Sequence, residues 1–176
     1  MLLDFLAEKF TLKFIPSKKE YYFCEGKINN SKYALIKPST YVNNSGIAAL
    51  SVVEHYGIDI TDLLVVHDDI NLEFSVIKTK VSGGDGGHNG LNSIIYHLIS
   101  DQFPRIRIGI GNDFDKGGMA DFVLSEFSTE EETKLKTIFE TSGYLAEEFI
   151  IGGRKQLLDA NSRLSNNDKN NLDTES

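Results

Sequence analysis

Hydrophobic residues recur at the spacing of an α-helix in five segments of the chain. The apolar positions of each segment lie three or four residues apart, so that they share one face of a helix. Gly57 follows the second segment as a typical helix stop, and Gly152-Gly153 separates the fourth from the fifth. A capping box, Ser128-Thr129-Glu130-Glu131, precedes the fourth. The predicted helices cover residues 1–10, 47–56, 91–99, 135–149 and 154–164.

Strand patterns occupy the intervals between these helices. Two apolar and aromatic runs flank the polar turn Asn29-Asn30-Ser31, which predicts a β-hairpin. The continuous apolar run from Leu63 to Val66 predicts a buried strand in a parallel arrangement. The run from Arg105 to Gly111 alternates with period two, as a half-exposed strand does. The predicted strands cover residues 21–28, 32–36, 63–66, 71–80 and 105–111.

The stretch before the third predicted helix is rich in glycine. Five glycines fall within residues 83–90. Glycine permits positive φ and lets a ligand approach the backbone closely. Asn89 lies at or just before the helix start, where free N–H groups favour anions. The stretch has neither the Lys of a phosphate-binding loop nor the glycine order of a dinucleotide site.

Polar residues follow the buried strand at His67-Asp68-Asp69. Open α/β sheets place ligands beyond the carboxyl ends of their strands, although a structural turn explains these residues equally well. Asn43 is similarly ambiguous, because it lies among several suitable N-caps of the second helix. We expect Asn43, Asp68 and Asn89 to converge on one cleft, since each closes a strand-to-helix or strand-to-turn junction on one side of the sheet.

Composition and charge limit the classes of function. The 176 residues suffice for one domain with a sizeable core, and the hydrophobic fraction of 40% is ordinary for a globular protein. The net charge of −8 argues against a broadly basic nucleic-acid surface. Any contacts with phosphate groups should therefore be local. The candidates are Lys78, Lys80, Arg105 and Arg107. The alternative is that these four residues form solvated faces of strands.

The remaining sequence signals concern location and domain limits. No apolar run reaches membrane-spanning length and the start shows no secretory signal, so we expect a cytoplasmic protein without membrane contact. Cys24 is the single cysteine and can form neither an internal disulfide nor a metal cluster. We expect residues 1–164 to form one domain, residues 165–176 to be a disordered tail, and the protein to be a monomer.

Four motifs occur in order along the chain. They are KPSTYVNNSG at residues 37–46, VHDD at 66–69, SGGDGGHNGL at 82–91 and RIRIGIG at 105–111. Together they resemble the motifs of bacterial-type peptidyl-tRNA hydrolases, with Val42 in place of the usual Met. The resemblance extends along the chain to about Leu164.

The resemblance implies a single α/β domain, with a mixed twisted β-sheet flanked by helices. It implies hydrolysis of the ester between a peptide and the 3′ end of tRNA, which recycles tRNA, with no metal and no cofactor. By this resemblance Asp68 orients a general-base histidine. Asn43 and Asn89 bind the peptidyl-tRNA near its 3′ end and help to place the attacking water, and Tyr41 lines the same site.

The chain departs from the family pattern at its beginning. Family members begin with a strand and a G-L-G-N-P-G-x-x-Y-x-x-T-R-H-N-x-G segment that carries the general-base histidine, and the 176 residues do not contain this segment. We expect these residues alone to hydrolyse peptidyl-tRNA poorly, and a sheet edge beside the absent strand to be unpaired. The following histidines are interpreted as structural or solvent-facing, not as replacement bases: His55, His67, His88 and His97.

Two functions remain open at this point. The first is an esterase whose sequence as given starts too late, for instance at an internal Met. The second is a non-catalytic relative that keeps the RNA-binding surface. Asp68 favours the esterase weakly, because a carboxylate that orients a base is easier to explain if the base exists.

Overall fold

The structure is a computed structural model that describes the backbone of residues 1–174 and the side chains of residues 1–166. Within that part the chain forms five α-helices, six strands and two short 3₁₀ helices, Val42–Asn44 and Ile60–Asp62. The helices are α1 (Leu2–Lys9), α2 (Ser45–Tyr56), α3 (Asn89–Leu98), α4 (Met119–Val123) and α5 (Thr129–Thr174). The strands are β1 (Ile15–Pro16), β2 (Tyr21–Ile28), β3 (Ser31–Pro38), β4 (Val65–Asp69), β5 (Ile77–Lys80) and β6 (Arg105–Gly109).

The strands lie in two three-stranded sheets with helices packed against them, which confirms the predicted α/β domain. The first sheet has the order β1-β2-β3 and is antiparallel throughout. The second has the order β4-β6-β5 and is mixed, because β4 runs parallel and β5 antiparallel to β6. The strands that were predicted to form one sheet are therefore divided between two.

The predicted hairpin is confirmed as β2 and β3. Its register pairs Cys24 with Leu35, and both side chains are buried in the main core. The turn begins at Asn29, whose φ of 54° is a conformation that Asn adopts more readily than most residues. A local signal, two polar turn residues between apolar runs, was thus sufficient to locate this element.

The second sheet confirms the parallel strand and corrects two details. Asp68 of β4 lies opposite Ile108 of β6, so the carboxyl ends of both strands lie at the same edge. β5 is shorter than the predicted strand 71–80 because the chain turns directly after β4, where the Asn71 N–H donates to Oδ1 of Asp69 (2.8 Å). β4 is half-buried up to Asp68 rather than buried.

The main core joins the first and last helices to the sheets. Leu2 and Leu6 of α1 are buried together with Leu145 and Phe149 of α5, and Ile106 of β6 lies in the same cluster. Leu2, Leu6, Leu145 and Phe149 lie at the helically spaced apolar positions of α1 and α5. The capping box before α5 is also confirmed, since the Ser128 and Glu131 side chains each accept a hydrogen bond from the backbone N–H of the other.

α2 buries a different face from the predicted one. The apolar residues at helical spacing in the predicted helix 47–56 are Ile47, Leu50, Val53 and Tyr56. The structure leaves these four half-buried and instead buries Gly46, Ala48, Ala49 and Val52. The small residues face inward because α2 begins in close contact with α3. A Cβ at Gly46 would overlap the carbonyl oxygen of Ser93, so only glycine permits this approach.

α5 is interrupted at the predicted position. Gly152 has φ −141° and ψ 19°, and Gly153 has φ 63° and ψ −155°, so neither continues the helix. The backbone is helical from there to Thr174, whereas the sequence predicts disorder over residues 165–176. The side chains from residue 167 onward, and residues 175 and 176 entirely, lie outside the described residues, so the tail stays a prediction there.

A large apolar cavity separates the two sheets. In the described part of the chain β3 and β4 are edge strands, and the space between them holds a cavity of about 1130 Å³. Side chains of both strands line it, together with side chains of α1, α2 and α5. Residues of two edge strands thus line one apolar space. No helix among the described residues is long and apolar enough to cross a membrane.

Candidate functional site

The two aspartates at the end of β4 have different surroundings. Asp69 is buried, and its Oδ2 accepts a hydrogen bond from Nε of Arg107 (2.7 Å). Burial raises the pKa of Asp69, but the bonds from Arg107 and Asn71 outweigh it and hold the pKa below its usual value. Asp69 is therefore a structural ion-pair partner. The carboxyl group of Asp68 is 40% exposed and is the one that a ligand can reach.

His88 orients Asp68 from the start of α3. It is the N-cap residue of this helix, and its Nδ1 accepts the backbone N–H groups of Gly90 (3.0 Å) and Leu91 (3.2 Å). Nδ1 must then be unprotonated, so Nε2 carries the proton and donates it toward Oδ1 of Asp68 (3.4 Å). Both ring nitrogens are engaged, which agrees with a structural role for His88.

The contact with His88 lowers the pKa of Asp68. The hydrogen bond from the imidazole is the largest cause, and partial burial opposes it. Asp68 is therefore an ionised carboxylate at neutral pH. An ionised carboxylate that is fixed in place and partly open can accept an N–H from a second imidazole and set that ring's tautomer.

His67 is held in its neutral form. Its Nδ1 donates to the backbone carbonyl of Asp68 (2.6 Å), and burial lowers its pKa to about 4. Its Nε2 is buried, with no hydrogen-bond partner among the described residues. The His67 ring packs edge-on against the His88 ring, with centroids 5.0 Å apart. A buried neutral imidazole without access to water is a poor general base.

Asn43 and Asn89 come together, as predicted, but beside a second and smaller pocket. This pocket has a volume of about 290 Å³ and is lined by Asn43, Asn89, Asn92, Ser93, Tyr96 and His97. Asn43 lies in the 3₁₀ helix before α2, and the N-cap of α2 is Asn44. The side chain of Asn43 is therefore free to contact a ligand. Tyr41 is 86% exposed and lines neither this pocket nor the large cavity.

Asp68 borders the large cavity, not the asparagine pocket. The two spaces adjoin through chain neighbours, since Val42 and His88 line the cavity while Asn43 and Asn89 line the pocket. The structure brings the three predicted residues to adjoining spaces, and their use as one cleft stays a prediction.

The basic residues of β5 and β6 differ in accessibility. Arg105 is only 2% exposed, so the expectation that it meets phosphate groups is wrong. Its guanidinium donates to the carbonyl oxygens of Gly83 and Gly84 in the glycine loop. These hydrogen bonds stabilise a buried guanidinium that period-two alternation placed at the surface. Lys78 and Lys80 are exposed.

Two features of the site were not predicted from the sequence. His88 as N-cap was missed because Ser, Thr, Asp and Asn are the residues that normally signal a cap. Its only signal was its position shortly before Leu91, the first apolar residue of α3. No local pattern indicates that Arg105 anchors the glycine loop, because its partners Gly83 and Gly84 lie about 20 residues earlier in the chain. Among the described residues, no group of three His, Cys, Asp or Glu side chains is arranged to hold a metal ion.

Sequence comparison gives the same family that the motifs indicated. The family model described as peptidyl-tRNA hydrolase matches residues 1–171. A peptidyl-tRNA hydrolase of Thermotoga sp. is 39% identical over 155 residues, which cover 87% of this chain and 80% of that protein. One from Clostridium tetani is 37% identical over 147 residues, or 82% and 77%. One from Aliarcobacter butzleri is 50% identical over 104 residues, which are 59% of this chain and 56% of that protein.

Structural comparison agrees. The crystal structure of peptidyl-tRNA hydrolase from Acinetobacter baumannii superposes with a TM-score of 0.83 at 28% sequence identity. The match covers 92% of this chain and 81% of that one. Motifs, family model, relatives and fold point to one conclusion: the chain belongs to the peptidyl-tRNA hydrolase family.

Proposed function

We propose that the site at Asp68 serves hydrolysis of the ester that links a peptide to the 3′ end of tRNA. The observation that carries the proposal is the state of Asp68, an ionised carboxylate at the end of β4 that is oriented by His88 and open to a cavity. Family membership supports the reaction over the non-catalytic alternative.

Hydrolysis of this ester places few demands on the protein. A water oxygen bonds to the carbonyl carbon of the peptide, the bond to the ribose oxygen breaks, and a proton moves from the water to that oxygen. One base within hydrogen-bond reach of the water can accept the proton and return it. Asp68 would hold the base in the correct tautomer, and the amide groups of Asn43 and Asn89 would contact the substrate.

Neither His67 nor His88 supplies the general base. His88 uses Nδ1 to cap α3 and Nε2 to contact Asp68, and the free nitrogen of His67 is buried. The resemblance assigns the base to a histidine in a segment that the 176 residues do not contain. Asp68 is therefore proposed as a positioning residue that acts through a second imidazole.

The substrate also suggests the setting of the protein. Binding of tRNA, a cytoplasmic location and a monomeric state all form part of this proposal. Lys78 and Lys80 are exposed on β5 and are the proposed contacts for tRNA phosphates, since their ammonium groups are accessible. Arg107 is held by Asp69, so it is available to phosphates only in part.

The test is a paired assay of peptide release from an N-blocked aminoacyl-tRNA. One protein is residues 1–176 alone, and the other is the same chain extended by its in-frame upstream codons. We expect release by the extended protein, and release by residues 1–176 at least ~100-fold slower, because positioned proton transfer contributes ~10²–10⁴-fold.

Each alternative outcome has a distinct meaning. Equal, rapid release by both proteins would show that the base lies within residues 1–176, and His67 and His88 would then be the residues to substitute. Binding of tRNA without release by either protein would favour the non-catalytic alternative. Thermal unfolding of both proteins shows whether slow release reflects loss of the fold.

A further inference from the structure

The asparagine pocket extends along α3 beyond the residues that the family resemblance assigns to substrate. Asn89, Asn92, Ser93, Tyr96 and His97 all line it. Their positions are i, i+3, i+4, i+7 and i+8, which is the spacing of one helix face. Apolar residues of α3 lie on the other face, in the core. The pocket is therefore a continuous polar face of α3, closed on one side by Asn43.

The floor of this pocket is rigid. The Ser93 hydroxyl oxygen accepts the backbone N–H of Gly46 (3.0 Å) at the buried contact between α2 and α3. Nδ1 of His97 donates to the Ser93 carbonyl oxygen (2.9 Å). Nε2 is therefore the ring nitrogen of His97 that remains for a ligand. A fixed floor positions the side chains above it without a ligand.

Tyr96 is the one aromatic residue of the pocket besides His97, among the side chains that the structure describes. It is 76% exposed, so its ring is accessible to a ligand. Its ring lies edge-on to the His97 ring, with centroids 5.3 Å apart and planes at 79°. The His97 contact thus supports a ring that otherwise stands in solvent beside three amide side chains.

The chemistry of the lining selects the kind of ligand. Three asparagine amides supply both donors and acceptors, and no Lys, Arg, Asp or Glu appears among the described lining residues. An exposed aromatic ring offers a stacking surface. A neutral, planar group with donors and acceptors at its edge matches this set, and a phosphate does not. A volume of about 290 Å³ suits one ring system rather than a long ligand.

We propose that Tyr96, Asn92 and His97 form a subsite for one unstacked nucleobase near the 3′ end of tRNA, with Tyr96 as its stacking surface. The inference rests on the proposed function, because Asn43 and Asn89 place the pocket beside the ester-binding site. It adds a contact with a base to a site whose other proposed contacts are with the ester region and the phosphates of the tRNA.

The test measures binding of deacylated tRNA at constant salt concentration, by fluorescence anisotropy. The second probe is the same tRNA without its three 3′-terminal nucleotides. We expect Tyr96→Ala to weaken binding of intact tRNA about 5- to 150-fold, the range that loss of one base–aromatic stack gives. Tyr96→Phe should bind within about twofold of the parent protein, and the shortened tRNA should bind the parent and Tyr96→Ala equally.

Tyr22→Ala is the matched control. Tyr22 is an exposed tyrosine on β2 that lines neither the cavity nor the pocket, so its loss should not change binding. Both alanine variants should unfold at the temperature of the parent, since both side chains are exposed. A variant with a lowered unfolding temperature is replaced by Tyr96→Ser and Asn92→Ala, for which the same difference between the two tRNAs is required.

The outcomes separate the subsite from the proposed reaction. Unchanged binding by Tyr96→Ala, an equal loss with both tRNAs, or no tRNA binding by the parent would overturn the subsite. Peptide release is measured on the same samples. If Tyr96 governs binding of intact tRNA but even the extended protein releases no peptide, the proposed reaction fails and the subsite stands. If peptide is released and Tyr96→Ala binds normally, only the subsite fails.

Discussion

The two sides of Asp68 are built differently. On the side of α2 and α3, backbone meets backbone at Gly46 and Ser93, and the His88 ring satisfies the free N–H groups of α3. On the side of β3 and β4, residues of two edge strands line a cavity of about 1130 Å³. The first side is fixed by close contacts and the second is not. The difference shows that the site residues can be held in place even where the adjacent sheets do not meet.

The largest expected effect tests whether Asp68, between the closely packed side and the cavity side, contributes to the reaction. In the extended protein, Asp68→Asn should lower kcat/KM for peptide release by about 10²–10⁴-fold, because an amide offers the imidazole a donor as readily as an acceptor. Asp159→Asn on the exposed surface of α5 is the control and should leave release unchanged. An Asp68→Asn protein with parental kcat/KM would show that Asp68 does not position the base.

The free energy of unfolding should depend on pH because of His67, which lines the large cavity. Burial lowers the His67 pKa to about 4, against about 6.5 in an unfolded chain, so the unfolded state binds more protons between these values. Stability should therefore be complete above pH 6.5 and fall as the pH drops toward 4, by up to about 3 kcal/mol.

Urea unfolding at pH 7 and pH 4.5 measures this dependence. His67→Gln should flatten the decline, because no buried imidazole then resists protonation. His55→Gln, at an exposed position of α2, should leave the decline as it is. Parallel declines in the parent and in His67→Gln would contradict the assignment and move the pH dependence to the carboxylates.

Adding volume should distinguish the two sides directly. Gly46→Ala inserts a methyl group against the Ser93 backbone and should cost about 1–3 kcal/mol of unfolding free energy. Ala34→Leu adds more volume, but Ala34 of β3 lines the cavity and should tolerate the change with less than about 1 kcal/mol lost. Urea unfolding of both variants decides the point. A larger loss for Ala34→Leu would mean that the cavity is closed in solution.

The smallest expected effect concerns the helix cap. His88→Ala removes the acceptor for two N–H groups of α3 and should cost about 0.5–2 kcal/mol of stability. It should also raise the pKa of Asp68, whose main lowering cause is the His88 bond. Carboxyl titration by NMR measures the pKa, and His88→Asn, which restores a cap acceptor, is the matched variant. If His88→Asn restores stability but leaves the Asp68 pKa raised, capping of α3 and lowering of the Asp68 pKa are separate roles of His88.

Local signals accounted for most of the fold. The hairpin turn at Asn29, the capping box at Ser128 and the helix stop at Gly57 each depend on a few adjacent residues. Patterns that depend on distant contacts were less informative. Arg105 alternates as a surface residue does, yet the glycine-loop carbonyls, about 20 residues away, draw it into the core. The buried face of α2 was missed because contact with α3, not hydrophobicity, decides it.

The candidate site divides in the same way. Asp68, Asn43 and Asn89 were predicted from motifs, because the resemblance carries their positions with it, and their roles stay a prediction. The small pocket was not predicted, since its added members Asn92 and Tyr96 stand on α3 outside any motif. The position of the proton on each histidine ring also could not be predicted from the sequence. Which nitrogen of His88 bears the proton follows from the N–H groups of Gly90 and Leu91 that reach it.

The pairing of Cys24 with Leu35 gives the protein an internal reporter. Cys24 is the single cysteine of the chain and its side chain is buried in β2, where burial also raises the pKa of the thiol. A thiol reagent can therefore modify the protein only when the first sheet opens. The rate of modification, followed by mass spectrometry, records how often the hairpin separates from the core, with no label or substitution added.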